Sequence, residues 1–110
     1  MPVGTVRKVE ALRHDFRSAA RLADMLGVSR SQVTRWLQGA GIDPLNAEKV
    51  DLLELVMANL LRLYEPEAAR AWLLGLNPHL RNRRPIDLVR KGKLEELMAA
   101  IRADRAGSYA

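Results

Sequence analysis

The stretch from Ala19 to Gln38 constrains the fold more tightly than any other part of the chain. Ser18 stands where a helix N-cap belongs, because a hydroxyl there takes one of the orphan backbone N–H groups of the first turn. Leu22, Ala23 and Leu26 then form one apolar stripe. Gly27 ends that short helix, since the chain needs a left-handed residue there and glycine adopts one without steric cost. Val28 plugs the turn, and Ser29 caps a second helix. On this helix Val33, Trp36 and Leu37 share one side at spacings of three and four, while Arg30, Ser31, Thr34, Arg35 and Gln38 share the other. The outer side carries two cations and no carboxylate. A helix that is merely solvated mixes both charge signs; this composition suits phosphates and base edges.

The succession Ala23, Gly27, Val33, Trp36, with a small residue at the crossing and glycine at the turn, resembles a helix-turn-helix. That resemblance implies DNA contact by Ser29, Arg30, Ser31, Thr34, Arg35 and Gln38. An ordinary αα-hairpin with a glycine turn has the same spacing. The cationic outer face is what separates the two readings.

A chain of 110 residues makes one domain, or two small helical lobes sharing a core. With 48% hydrophobic residues it can bury such a core, and dimerisation would add to the little surface a small chain buries. There is no cysteine, which removes disulfides and thiolate chemistry and fits a reducing cytosol. The net charge of +5 is dispersed along the chain and points to a polyanionic partner without locating it. No apolar run approaches the roughly 18 residues of a membrane helix, and no apolar segment follows the basic N-terminal residues as in a signal peptide. The expectation is a cytoplasmic protein with no membrane partner.

Taken in order, the pattern predicts a frayed Met1–Thr5 and a helix from Val6 to Phe16 built on Val6, Val9, Leu12 and Phe16. Arg7, Lys8 and Arg13 lie off that stripe, on a face that is either solvated or beside DNA phosphate. Gly39 to Pro44 is a loop, with Ile42 as its anchor. Asn46 to Tyr64 is the longest helical segment, and Val50, Leu52, Leu53, Leu55, Val56, Met57, Leu60, Leu61 and Leu63 surround most of it. A helix apolar on most sides is buried on most sides. Either it is internal to a monomer, or one face meets a second copy and sets two recognition helices about one DNA turn apart. Pro66 at a first-turn position begins another helix, in which Trp72 and Leu73 are read as core; Gly75 ends it. Asn77-Pro78 opens an irregular connection through Leu80 to Arg84, with Asn77 in an Asx-turn. A short helix from Ile86 to Arg90 closes near Gly92. Lys93 to Ala106 is a last amphipathic helix on Leu94, Leu97, Met98 and Ile101. The expected fold is all-α. A helix-turn-helix DNA-binding lobe, residues 1–45, is joined by a long apolar helix to a small C-terminal helical lobe within residues 46–110.

In the second half, Trp72-Leu73, then Asn77-Pro78-His79-Leu80, then Arg83-Arg84-Pro85-Ile86-Asp87-Leu88-Val89 and Gly92 look like the toxin-binding domain of the Xre/MbcA/ParS antitoxins. Together with the N-terminal motif, the resemblance spans nearly the whole chain. Many members have glycine just before the Arg-x-Pro; Arg81-Asn82 stands here, which implies a stiffer, more basic connection. The resemblance implies a partner, a RES-type toxin that consumes NAD. It implies that the C-terminal region covers the toxin's entrance, and that operator DNA is bound by a homodimer or a higher hetero-oligomer with toxin. On that footing the exposed contacts to toxin are Arg81, Arg83, Arg84, Lys91, Arg102, Arg105, Ser108 and Tyr109, while Trp72, Asn77, Pro85 and Asp87 form scaffold. The short tail at Gly107–Ala110 is the part best able to enter a cleft.

Catalysis needs His, Cys or paired carboxylates that converge. The chain has two His far apart, no Cys, no metal-ligand spacing and no phosphate loop, Gly39-Ala40-Gly41 being too short for one. No catalytic residue, metal or cofactor is expected. A free-standing helix-turn-helix repressor without a toxin partner is the alternative.

Overall fold

The computed structural model describes residues 3–107. Among them every regular element is helical apart from an isolated bridge between Asn77 and Arg83. None of the helices is long and apolar enough to cross a membrane. The chain divides into two units, Met1–Glu54 and Leu55–Ala110, and the division falls inside one helix.

The first unit opens with α1, Val3–Asp15. Its helix begins ahead of the expected Val6, because Thr5 is buried and extends the stripe of Val9 and Leu12 by one turn. Phe16 follows as core, 2% exposed. The turn after it is made by Arg17 at φ 75°, a left-handed conformation that its side chain does not advertise. Such a position costs a non-glycine residue about 1–2 kcal/mol. Ser18 is then extended, and its hydroxyl oxygen accepts the Arg21 N–H at 3.1 Å to start α2, Ala19–Leu26. Leu22, Ala23, Met25 and Leu26 are buried. Gly27 at φ 72° ends the helix. Its N–H donates to Asp24 O, and Val28 N–H donates to Ala23 O at 3.0 Å, so two last-turn carbonyls are satisfied.

Helix α3, Arg30–Leu37, begins with a reciprocal cap. Ser29 Oγ accepts from Gln32 N–H at 3.1 Å, and Gln32 Oε1 accepts from Ser29 N–H at 3.0 Å. Val33 and Trp36 face inward, and α3 packs on both α1 and α2. Helix α4, Pro44–Leu60, starts two residues before the expected Asn46. The Asp43 carboxylate caps it by accepting from Asn46 N–H at 3.2 Å, and Pro44 fits the first helical position. Within α4 the buried residues are Val50, Leu52, Leu53, Val56, Met57 and Leu60, while Leu55 is 40% exposed. Leu61, just past its end, is 36% exposed. The helix stops at Leu60 rather than Tyr64, because Leu63 N–H and Tyr64 N–H both turn back to the Leu60 carbonyl.

In the second unit α5 runs Pro66–Leu74, with Ala69 and Leu73 buried. A 3-10 turn follows at Pro78–Leu80, then α6, Pro85–Arg90, and α7, Leu94–Gly107. Leu80, Ile86, Leu88, Val89, Leu97, Ala100 and Ile101 form the core between them. Three expected core residues, Trp72, Leu94 and Met98, are not fully buried. Trp72 is only half-buried, because its indole N–H is spent on a carboxylate at the surface of the unit. Leu94 is 42% exposed, since it is the first residue of α7 and the burying elements cover the helix from Leu97 onward.

Trp36 is 4% exposed at the centre of the first unit. Trp36→Ala should therefore lower stability by about 3–5 kcal/mol in urea unfolding. An unchanged midpoint would mean that α3 presents a different face to the core.

Candidate functional site

Packing Val33 and Trp36 inward leaves the other side of α3 in solvent. Arg30, Ser31, Arg35 and Gln38 are exposed there, as is Ser29 at the cap. Two of the candidate hydroxyls are already engaged. Ser29 Oγ serves the cap, and Thr34 Oγ1, half-buried, donates to Arg30 O at 3.1 Å. Four side chains thus keep their polar ends fully open: two guanidinium groups, one hydroxyl and one amide. Among the described residues neither Arg30 nor Arg35 has an ion-pair partner. By contrast Lys8, off the stripe of α1, is paired with Asp51 at 3.1 Å.

The second candidate surface grows from the turn before α6. Asn77 is 6% exposed, and its side-chain oxygen accepts His79 N–H at 2.9 Å, the Asx-turn the sequence suggests. Its backbone oxygen accepts from Leu80 and Asn82 N–H, each at 2.9 Å, and its N–H donates to Arg83 O at 3.1 Å. Closing so tight a loop requires two successive left-handed residues, Arg81 at φ 58° and Asn82 at φ 59°. Where glycine would be unstrained, this chain accepts a steric cost and displays an arginine.

That loop aims Arg83 and Arg84 in fixed directions. Arg83 donates through Nε to Leu80 O at 2.7 Å and pairs through Nη2 with Glu96 at 2.5 Å. Arg84 forks onto Asp87, with distances of 3.2 and 3.0 Å, and Arg90 Nη1 lies 3.8 Å from the same carboxylate. Arg83, Arg84 and Lys91 border one hollow of about 480 Å³ together with Leu76, Asn82, Asp87, Leu88 and Arg90. Arg81 and Arg83 border a second, about 420 Å³, with His79, Glu96 and Ala99. Arg102 and Arg105 are exposed on α7 and line neither hollow. Ser108 and Tyr109 lie outside the described residues.

Sequence reasoning passed over Leu76 and Arg90 and gave Asn82 no contact, and the fold brings all three to the first hollow. Leu76 carried a usable signal, an apolar residue between Gly75 and Asn77 that belongs to no helical stripe. It also passed over Asp104. That carboxylate accepts the Trp72 indole N–H and lies 3.5 Å from both Tyr64 Oη and His79 Nε2, tying α7 to three earlier segments. Burial, and then the Asp104 charge, pushes the Tyr64 hydroxyl above the ordinary tyrosine range. His79 and Asp104 are the nearest approach to a catalytic dyad. The hollow they share with Trp72, Gly75, Leu76, Asn77 and Pro78 holds no Ser, Thr, Cys or Lys to act as a nucleophile. No cluster of metal-ligating residues occurs among the described residues.

Hydrogen bonds from Arg84 hold the Asp87 carboxyl below its usual range, and the charges of Arg90 and Lys91 add to the effect. A carboxylate with a depressed folded-state pKa stabilises the fold above its unfolded value, about 3.9, and that help disappears as pH falls through the folded value. Acid titration of stability should show a small loss below about pH 4. Asp87→Asn should shrink that step, leaving the share of Asp43, which the Asn46 hydrogen bonds also hold low; a step of the same size in the variant would show that Asp87 is not its source.

Against this geometry stand the known proteins. No protein-family model matches the chain. No solved structure matches it. The chain is 29% identical over 89 residues, 80% of its own length and 79% of the relative's, to the mycobacterial cidal antitoxin MbcA of Mycobacterium tuberculosis. The protein of the same name from Mycobacterium bovis matches over the same shares, again at 29% identity. Over most of its length, and across most of theirs, this all-helical chain is similar to an antitoxin.

Proposed function

We propose that this chain is the antitoxin of a type II toxin–antitoxin system, that it binds and blocks a RES-type, NAD-consuming toxin, and that it represses its own operon through α2 and α3. The observation that carries the reading is the likeness to the antitoxin MbcA over 80% of the chain. The motif from Trp72 to Gly92, which resembles the Xre/MbcA/ParS toxin-binding domain, extends it to the kind of toxin. Such a protein acts by occupying surfaces rather than by catalysis, and it works in the cytoplasm, where both toxin and operator are found.

The division of labour follows from the side chains. Arg30, Ser31, Arg35 and Gln38 on α3 are the groups for operator DNA, where a guanidinium can bond guanine bidentately or neutralise phosphate. Ser29 and Thr34 complete the set on the same helix, with Ser29 also capping it and Thr34 bonded to the Arg30 carbonyl. A homodimer would present two such helices to two half-sites. The toxin contacts are the exposed cations Arg81, Arg83, Lys91, Arg102 and Arg105 and the half-buried Arg84, joined by Ser108 and Tyr109 of the tail. Arginine suits this role because its planar fork pairs with carboxylates bidentately. A free-standing repressor would use the first unit alone and would leave the cations around α6 without a purpose.

Arg35→Ala separates base reading from backbone contact. If Arg35 reads a base edge, the variant should lose about 1–3 kcal/mol of operator affinity and relax specificity at one position. If it touches phosphate, binding should weaken evenly across sequences and the salt slope should fall by about one. Operator titrations at several salt concentrations distinguish the two, and no change in either quantity would remove Arg35 from the interface.

A further inference from the structure

We propose that the hollow beside α6, bordered by Leu76, Arg84, Asp87, Leu88, Arg90 and Lys91, seats an acidic segment of the toxin that carries one apolar side chain. The inference rests on the antitoxin reading and adds the chemistry of the partner. Two observations point the same way. Leu76 is 70% exposed, the most open large apolar side chain among the described residues, and it sits at this hollow beside the buried Leu88. A leucine held in water by the loop that follows it gains by being covered.

The second observation is charge. Asp87 is the one carboxylate at the hollow, and Arg84 and Arg90 both reach it, at 3.0 and 3.8 Å. Lys91 is exposed and has no ion-pair partner among the described residues. Arg83, also nearby, is matched by Glu96. Three cations against one carboxylate leave the rim net positive, so its occupant is anionic. Nucleic-acid phosphate would meet the charge but would leave Leu76 against a polar backbone. A protein segment with Asp or Glu flanking a Leu-like side chain satisfies the rim and the leucine together.

The test titrates the chain with a purified RES-type toxin, taken from beside its own gene where one is encoded there, at three salt concentrations. Leu76→Ser and Lys91→Glu are compared with Leu45→Ser, which alters a 64% exposed leucine in the first unit. All three positions are exposed, so the variants should melt close to the parent chain. Leu76→Ser should weaken toxin binding about ten- to a hundredfold by removing a buried contact. Lys91→Glu should weaken it about tenfold and flatten its salt dependence. Leu45→Ser should change nothing. If the parent chain binds the toxin and both α6-side variants bind it equally well, the seat lies elsewhere and this inference falls while the antitoxin reading stands. If Lys91→Glu loses operator affinity and keeps toxin affinity, the hollow belongs to nucleic acid and the inference falls too. If the parent chain binds no such toxin, the antitoxin reading fails and the inference with it.

Discussion

The bonds made by the buried Asn77 hold the second unit's surface in place. One residue gives its side-chain oxygen, backbone oxygen and backbone N–H to positions 79, 80, 82 and 83. Inside a protein such groups cannot be left unpaired without a cost of about 1–3 kcal/mol each. The loop they close is therefore the form in which Asn77 can be buried. Everything on that side follows from it. Arg81 and Asn82 are driven into left-handed backbone, Arg83 and Arg84 leave the loop in fixed directions, and Leu76 is held outside. Pro85 then starts α6 with its φ already set for a helix.

The first unit uses the same economy of backbone bonding at its turn. Gly27 lets two carbonyls at the end of α2 be satisfied within two residues, and the Ser29–Gln32 pair satisfies two donors at the start of α3. With both ends settled locally, the orientation of α3 is decided by Val33 and Trp36 entering the core. Its exposed cations are then displayed by a rigid element, which is what the proposed recognition of a fixed duplex geometry would require. The proposed antitoxin function would give the two surfaces, one in each unit, a common purpose.

Features set by neighbouring residues were legible in the sequence. Ser18, Gly27, Ser29, Pro66, Asn77 and Gly92 all do what their side-chain chemistry dictates within a turn of chain. Features set across distance, or against local preference, were not. Nothing in Arg17 or Arg81 announces a left-handed backbone; tertiary closure imposes it. Trp72 read as core because indoles usually are, but its N–H meets Asp104, 32 residues away, a pairing no local pattern encodes. The exposed residues Leu76 and Leu94 show the same gap, since apolar character marks a residue for burial without saying whether the fold covers it. The roles of the individual cations rest on which partners they meet, and that information is in the partners' sequences.

The measurement that bears most directly on the account is sedimentation of the chain with the RES-type toxin proposed as its partner and a duplex carrying its own promoter. Separate surfaces for DNA and toxin predict one ternary species containing all three components, faster than either binary complex. Mutual exclusion of toxin and duplex, or a chain that sediments apart from both, would contradict the assignment of one surface to each.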